Sequence, residues 1–411
     1  MADQEQTGAP RATNGGEADN LDLAFEPMEL KVGPSHPATH GTVRIQLKLD
    51  GERVVWSEVE VGYLHRGFEK ECESGLYYQA FPYTDRLNYV SPMINNVGYA
   101  LACEKLFGVE VPPRGQYLRT IASEVSRMSD HFTCLGACAL ELGAFTAFLY
   151  AVEAREHLWD IHDEMCGARV TCNYVRIGGM SADVGPEFAA FVGEKLGKVA
   201  QLQKDFEDLL LANPIFRERM EGTGLLGKDE LIAIGVSGPL LRAAGVPYDV
   251  RRAQPYLVYD RIDWDVPVGE AGDNMDRFLV RIEELKQSAR IIRQCVDQLP
   301  GGPVDINDPH VRLAGKGHVY NKMEELIAQF KLVTEGPKPP VGEVYFAVEG
   351  GNGELGFYLV SDGSGAPYKC RARSPSFSNT QALSRMIEGA MLADVIPTFD
   401  MINMIGGECD R

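Results

Sequence analysis

The sequence predicts an α+β fold, with a core of long helices and small antiparallel sheets supplied by the N- and C-terminal segments. Three observations carry this expectation. A period-two run opens the patterned part of the chain, apolar residues at helical spacing fill its middle, and a glycine-rich hairpin signal appears near the end. At 411 residues with 45% hydrophobic content, the chain can bury a core over most of its length.

Residues 1–24 are rich in Gly, Ala, Thr, Glu and Asp and read as a disordered acidic tail. An N-terminal antiparallel β segment is expected over 25–67. There Val43, Ile45, Leu47 and Leu49 alternate with Arg44, Gln46 and Lys48, a half-buried strand. Asp50-Gly51 is a type I′ hairpin dipeptide, and Val54, Trp56, Val59 and Val61 read as the returning strand. A helical core domain is expected over 68–411. Within 114–167, Ile121, Val125, Met128, Phe132 and Leu135 fall at i, i+4, i+7, i+11 and i+14, one face of a helix. Further helices are expected at about 186–211, 273–298, 317–331 and 378–392, with a loop-rich stretch at 222–272. Runs at 344–349 and 355–361 flank Gly350-Gly351-Asn352-Gly353, and 368–373 adds a strand, placing a C-terminal β segment at about 340–375. No internal repeat is present.

Lys and Arg total 40 against 59 Asp and Glu, a formal charge of −19. Such a surface repels phosphate backbones, which argues against nucleic-acid binding and against charge-driven attachment to anionic lipid. No apolar run approaches the roughly 18–20 residues that cross a bilayer. The first twenty residues lack the apolar stretch of a secretory signal, so the chain is expected to stay in the cytosolic compartment. The nine cysteines (72, 103, 134, 138, 166, 172, 295, 370 and 409) contain no C-x-x-C pair. They are expected to be free thiols, supplying neither an iron–sulfur nor a zinc framework.

Three segments concentrate candidate chemistry. Gly33-Pro34-Ser35-His36-Pro37-Ala38-Thr39-His40-Gly41 sets two histidines on a proline-broken loop. The bland alternative is a turn whose imidazoles cap backbone groups. Gly62-Tyr63-Leu64-His65-Arg66-Gly67 places a guanidinium at the strand-to-helix transition, suited to a nearby anion or to an ordinary salt bridge. In Asp85-Arg86-Leu87-Asn88-Tyr89-Val90-Ser91, Tyr89 is a phenol donor able to bond a carbonyl oxygen that gains electrons, or simply a core tyrosine. Glu124, Arg127, Asp130, His131 and Glu141 lie within the long helix pattern. A carboxylate at Glu141, if buried, must be paired or protonated. Arg155 and Glu156 read as surface pairing, and Asp260, Asp263, Asp265, Asp273 and Asp276 as acidic surface. No phosphate-loop, nucleophile-elbow or H-E-x-x-H motif occurs.

Taken in order, GPSHPATHGTVR, GYLHRGFEK, DRLNYVSPM, ELGAFTAF, YDVRRAQPYLVYDRIDWDVPVG, DRFLVRIEELKQS and LVSDGSGAPYKCRARSPSF resemble the 49-kDa-type (D) subunit family of NADH–quinone oxidoreductase, respiratory complex I. The resemblance covers the chain from about residue 28 to its end. The family is also similar to the large subunit of nickel–iron hydrogenases, which hold their metals with two C-x-x-C pairs near the two ends. The lone Cys72 and Cys409 in those regions cannot build that site.

The resemblance implies a quinone pocket in place of the metal, with His40 and Tyr89 as headgroup ligands. Glu141 stands where the family usually has an aspartate serving the histidine, and it is one methylene longer. Arg66 matches an arginine beside the terminal [4Fe-4S] cluster, which a partner subunit holds. The implied partners are complex I subunits B, C, H and I. The implied place is the cytoplasmic side of the cell inner membrane, attached through those partners. The rival implied by the hydrogenase relation is a metal-free scaffold subunit of a hydrogenase-related membrane complex. Many relatives carry histidine, associated with pH dependence of that cluster, where this chain has Thr171. Threonine does not titrate. The cluster midpoint in the assembled enzyme should therefore stay flat with pH near neutrality, and a redox titration at several pH values checks this.

Overall fold

The computed structural model describes residues 26–411, so the tail expected over 1–24 lies outside the described residues. The fold is α+β, as expected. Strands β1 (Met28–Val32), β2 (Arg44–Asp50) and β3 (Arg53–Glu60) form one antiparallel sheet in that order. β1 was not foreseen, because only Val32 of its five residues is buried and its alternation is weak. Ile45, Leu47 and Leu49 on β2 face inward and pack with Leu231, Leu240, Leu383 and Phe399. The β2–β3 loop is Gly51-Glu52, one residue later than expected, and only Gly51 has a positive φ (59°). The turn is therefore not type I′, which needs both central residues left-handed.

The core is built from α1 (Pro92–Phe107), α2 (Pro113–Glu141), α3 (Phe145–Cys166), α4 (Phe188–Leu211) and α5 (Asn274–Asp297). The stripe Ile121, Val125, Met128, Phe132 and Leu135 is buried along α2, as its spacing requires. α5 begins at Asp273, whose carboxylate accepts from the Asp276 amide (2.8 Å) and the Gly222 amide (2.8 Å). Asp273 is thus a buried helix cap and not acidic surface.

The expected 317–331 helix is two pieces, Lys316–Asn321 and α6 (Met323–Thr334), broken where Lys322 turns extended. The 222–272 stretch contains short helices at Lys228–Ile234, Pro239–Ala243 and Val250–Ala253. A second antiparallel sheet joins β4 (Gly342–Glu349), β5 (Glu354–Ser361) and β6 (Lys369–Arg373).

The single helix expected at 378–392 is replaced by Pro375–Gln381 and Leu383–Ile387, followed by α7 (Leu392–Ile402). The break has a tertiary cause. Gly389 donates to the Val54 carbonyl (2.8 Å), Ala390 accepts from the Val54 amide (2.9 Å), and Leu392 donates to Glu52 (2.7 Å). The chain leaves the helix to bond the β2–β3 hairpin. Among the described residues no helix is long and apolar enough to cross a membrane.

α2 also buries charge. Glu124 accepts from the Tyr259 hydroxyl (2.6 Å), the Ser288 hydroxyl (2.6 Å), Arg127 Nε (3.2 Å) and Arg251 Nη1 (3.1 Å). Arg127 donates onward to the carbonyls of Glu349 and Gly350 (2.8 Å each), which pins the β4–β5 turn to the helix. Arg242 bonds Glu284 Oε1 (2.8 Å) and Glu349 Oε1 (2.7 Å), and His131 Nε2 lies 2.6 Å from Glu284 Oε2. Burial holds His131 below its ordinary value, and the Arg242 charge holds Glu284 well below its own despite burial. His131 is therefore a neutral donor to an ionised carboxylate. Removing one partner from such a network strands the others without water. Arg242→Met should cost about 3–5 kcal/mol of stability, read as a lower denaturant midpoint.

Candidate functional site

Two regions hold the residues singled out from the sequence. The first is a cleft of about 220 Å³ between α2, α3, α7 and the 33–43 loop, with His40, Glu141, Arg155 and Asp400 in its wall. Gly33 shapes that loop. Its φ is +87°, and a Cβ there would stand 2.3 Å from the Val43 carbonyl oxygen, so no side chain fits. Pro37–Thr39 form a short 3-10 turn, and His40 closes it in the left-handed region (φ 51°). A non-glycine residue there stores strain of order 1–3 kcal/mol.

The two histidines of the loop divide the roles weighed for them. His36 Nδ1 accepts from the Ala38 amide (3.2 Å), the capping role. The exposed His40 ring makes no such bond among the described residues and borders the cleft. Glu141 is exposed at the C-terminal end of α2, so the expectation that it must be paired or neutralised by burial does not apply. Arg155 corrects a further expectation. Glu156 pairs with Arg169, whereas Arg155 turns inward over the Trp159 ring at 4.6 Å. Its Nε is buried without a partner among the described residues, and burial lowers its pKa against the opposing charges of Asp130 and Glu156.

The second region surrounds Tyr89. Asn88 Oδ1 accepts from the Val90 and Ser91 amides (3.1 and 3.2 Å), a local turn that presents Tyr89 outward with 38% of its surface exposed. Asp130 of α2 clamps the turn by accepting from Asn88 Nδ2 (2.8 Å) and Ser91 Oγ (3.0 Å), and from Asn403 Nδ2 (2.7 Å) just beyond α7. Burial pushes the Tyr89 phenol up; Arg66 opposes this and Asp130 adds to it. Tyr89 is therefore a neutral donor at physiological pH.

Tyr89 does not line the cleft that contains His40, Glu141, Arg155 and Asp400. Asp130 is the charge common to both regions, since it acts on Tyr89 and on Arg155. Among the described residues Arg66 makes no salt bridge; its Nη2 donates to the Arg86 carbonyl (2.6 Å). The C-terminal residues hold the neighbouring loop, with the Asp410 carboxylate accepting from the Gly62 and Leu64 amides (2.8 and 2.7 Å). Thr171 is left-handed (φ 52°). Cys72 is buried against the Cys370 thiol, and Cys409 is also buried. Among the described residues no group of three or more His, Cys, Asp or Glu side chains is placed to hold a metal ion.

Sequence reasoning passed over Arg155 as a surface residue and did not single out Asp400. The available signal at Asp400 was a lone acid between Phe399 and Met401 in an otherwise apolar run.

These features define a helix-cored α+β subunit with an imidazole, a guanidinium and two carboxylates around one cleft. The family described as respiratory-chain NADH dehydrogenase, 49 Kd subunit, matches residues 141–411. The chain is 56% identical over 392 residues to one of the NADH-quinone oxidoreductase D subunits of Sorangium cellulosum, covering 95% of this chain and 97% of that protein. It is 49% identical over 415 residues to the NADH-quinone oxidoreductase D subunit of Myxococcus xanthus, covering 100% of both. A third relative, the protein of the same name from Leptospira biflexa, is 46% identical over 389 residues, with 95% and 96% covered. The chain belongs to the 49-kDa subunit family of the respiratory-chain NADH dehydrogenase.

Glu408 is fully buried near this site. It accepts from Ser376 Oγ (2.9 Å) and Asn352 Nδ2 (3.5 Å), while burial, with Asp130 adding, pushes its carboxyl up to about 7. In the unfolded chain the group ionises near 4.5. The stability it contributes is thus complete below about 4.5 and is lost as pH rises through about 7. Glu408→Gln should remove that loss, on the order of 3 kcal/mol above neutrality. Denaturant midpoints of the full chain at about pH 5 and about pH 8 provide the measurement.

Proposed function

We propose that this chain forms the quinone-binding face of the reduction site in NADH–quinone oxidoreductase. His40 and Tyr89 donate to the quinone headgroup, and Glu141 is the carboxylate that serves His40. As a member of its family the chain is a subunit of that oxidoreductase, working as part of complex I and not alone. The names of its relatives favour this reading over a metal-free scaffold of a hydrogenase-related complex. The observation that carries the site assignment is the meeting of His40 and Glu141, distant in sequence, in the wall of one cleft.

Reduction of a quinone takes up two electrons and two protons, and negative charge develops on both carbonyl oxygens. Neutral donors aimed at those oxygens stabilise the charge and supply the protons. Tyr89 is suited to this because its phenol stays protonated, and Arg66 limits how far its acidity is suppressed. An imidazole can give a proton and be reloaded from a nearby carboxyl, the role assigned to Glu141. Electrons arrive from the [4Fe-4S] cluster of the neighbouring B subunit, and the exposed Arg66 guanidinium faces that partner, its positive charge favouring the reduced state. Subunits C, H and I complete the surroundings, and the chain attaches peripherally to the cytoplasmic side of the inner membrane through them. Nothing in this reading calls for nucleic acid.

The test is quinone reduction by the assembled complex. His40→Ala should lower the rate by about 10²–10⁴-fold, and Tyr89→Phe by about 10–10²-fold, with assembly and the cluster signal unchanged. Wild-type rates in both variants would leave only the scaffold reading.

A further inference from the structure

We infer that Asp400 is the closed-end member of a carboxyl pair with Glu141, holding one proton between them that reloads His40. This rests on the quinone-site reading above and extends it to a residue outside the motifs that resemble the family. Asp400 lies on α7 and shares the wall of the cleft with His40, Glu141 and Arg155. Its Oδ2 is shielded from solvent and has no hydrogen-bond partner among the described residues. A buried carboxylate oxygen without a partner requires an explanation, and a bound proton is the simplest.

The surrounding groups support it. No ion pair reaches Asp400 among the described residues, and the carboxylates that act on Arg155 are those of Asp130 and Glu156. The charge that does act on Asp400 is the like charge of Glu141, which adds to burial in holding its carboxyl well above the ordinary range. From α2, the Cys134 thiol donates to the Asp400 carbonyl (3.3 Å), while the Cys138 thiol, within reach of the Asp400 charge, points to the Met220 sulfur (3.8 Å). Both thiols are pushed up by burial and by Asp400, so neither supplies a cation. Arg281 acts on those thiols. Arg155 shares the wall of the cleft but forms no ion pair with either carboxyl among the described residues, so the like charge of Glu141 stands against Asp400 and one proton stays through the neutral range. Asp400, the more enclosed, keeps it.

The chemistry is proton transfer alone. Asp400 passes its proton to the Glu141 carboxylate, Glu141 passes it to neutral His40, and the pair is refilled from water; no electrons move. The cleft volume of about 220 Å³ leaves room for a water to bridge the two carboxyls. Asp400 acts through Glu141 and His40, and is a positioning residue in the proton path.

The assembled oxidoreductase tests this through the pH profile of quinone reduction and the infrared band of a protonated carboxyl. Asp400→Asn should lower kcat about tenfold near neutrality with KM for quinone unchanged. It should move the alkaline limb toward acid by about one pH unit and abolish one protonated-carboxyl band. Asp400→Glu should restore the limb. A wild-type profile with the band intact in Asp400→Asn overturns the inference. If that variant does not assemble, Glu141→Gln reads the pair from the other side. Removing the like charge should move the titration of the remaining band to lower pH, and an unmoved band overturns the inference. His40→Ala separates the two layers. Full activity there sinks the quinone-site reading, whereas loss of activity there with an unaltered Asp400→Asn profile sinks only the carboxyl pair.

Discussion

The structure depends on the charged interior of α2. A helix passing through the centre of a fold normally shows an apolar stripe to its neighbours. Here Glu124, Arg127, Asp130 and His131 are all buried, and each is answered by a group from a distant part of the chain. Tyr259 and Ser288 meet Glu124, the β4–β5 turn meets Arg127, Glu284 meets His131, and Asn88 with Asn403 meets Asp130. Charges of this kind contribute little net stability, but they penalise every packing that leaves one unmatched. The arrangement of α2 against α5, the second sheet and the C-terminal segment is selected in that way. Gly351 belongs to the same constraint, since a Cβ there would lie 2.0 Å from Asp130 Oδ2.

That rigid centre positions the candidate site. Asp130 clamps the Tyr89 turn on one side and the residue after α7 on the other, while α2 runs on to end at Glu141. The cleft is therefore bounded by the helix that also orients the phenol. The reactive groups themselves sit on less regular backbone. His40 is left-handed at the end of a 3-10 turn, and Tyr89 rides on an asparagine-stabilised turn. Exposed loops fixed to a buried polar frame are a common way to hold donors near a ligand without burying them.

Much of this was legible in the residue order. Period-two alternation placed β2, the 3.6 period placed α2 and α4, and the glycine cluster at 350–353 marked the β4–β5 hairpin, because these patterns report which face of a local element meets the core. The loop histidines and Tyr89 stood out for their chemistry and their setting. Where the patterns misled, a distant backbone or charge intervened. The 378–392 helix ended early because its last residues bond the β2–β3 hairpin, and the edge strand β1 was silent because its side chains are mostly exposed.

By itself, then, the sequence determined the class of fold, the existence and type of most elements, and the kinds of side chain able to handle protons, because propensity and periodicity are local properties. Only the tertiary structure decided that Arg155 turns inward, that Asp273 is a buried cap, and that Asp400 shares a cleft with Glu141 and His40. Burial and partnership of a charged side chain depend on residues far away along the chain, and no local pattern encodes that distance.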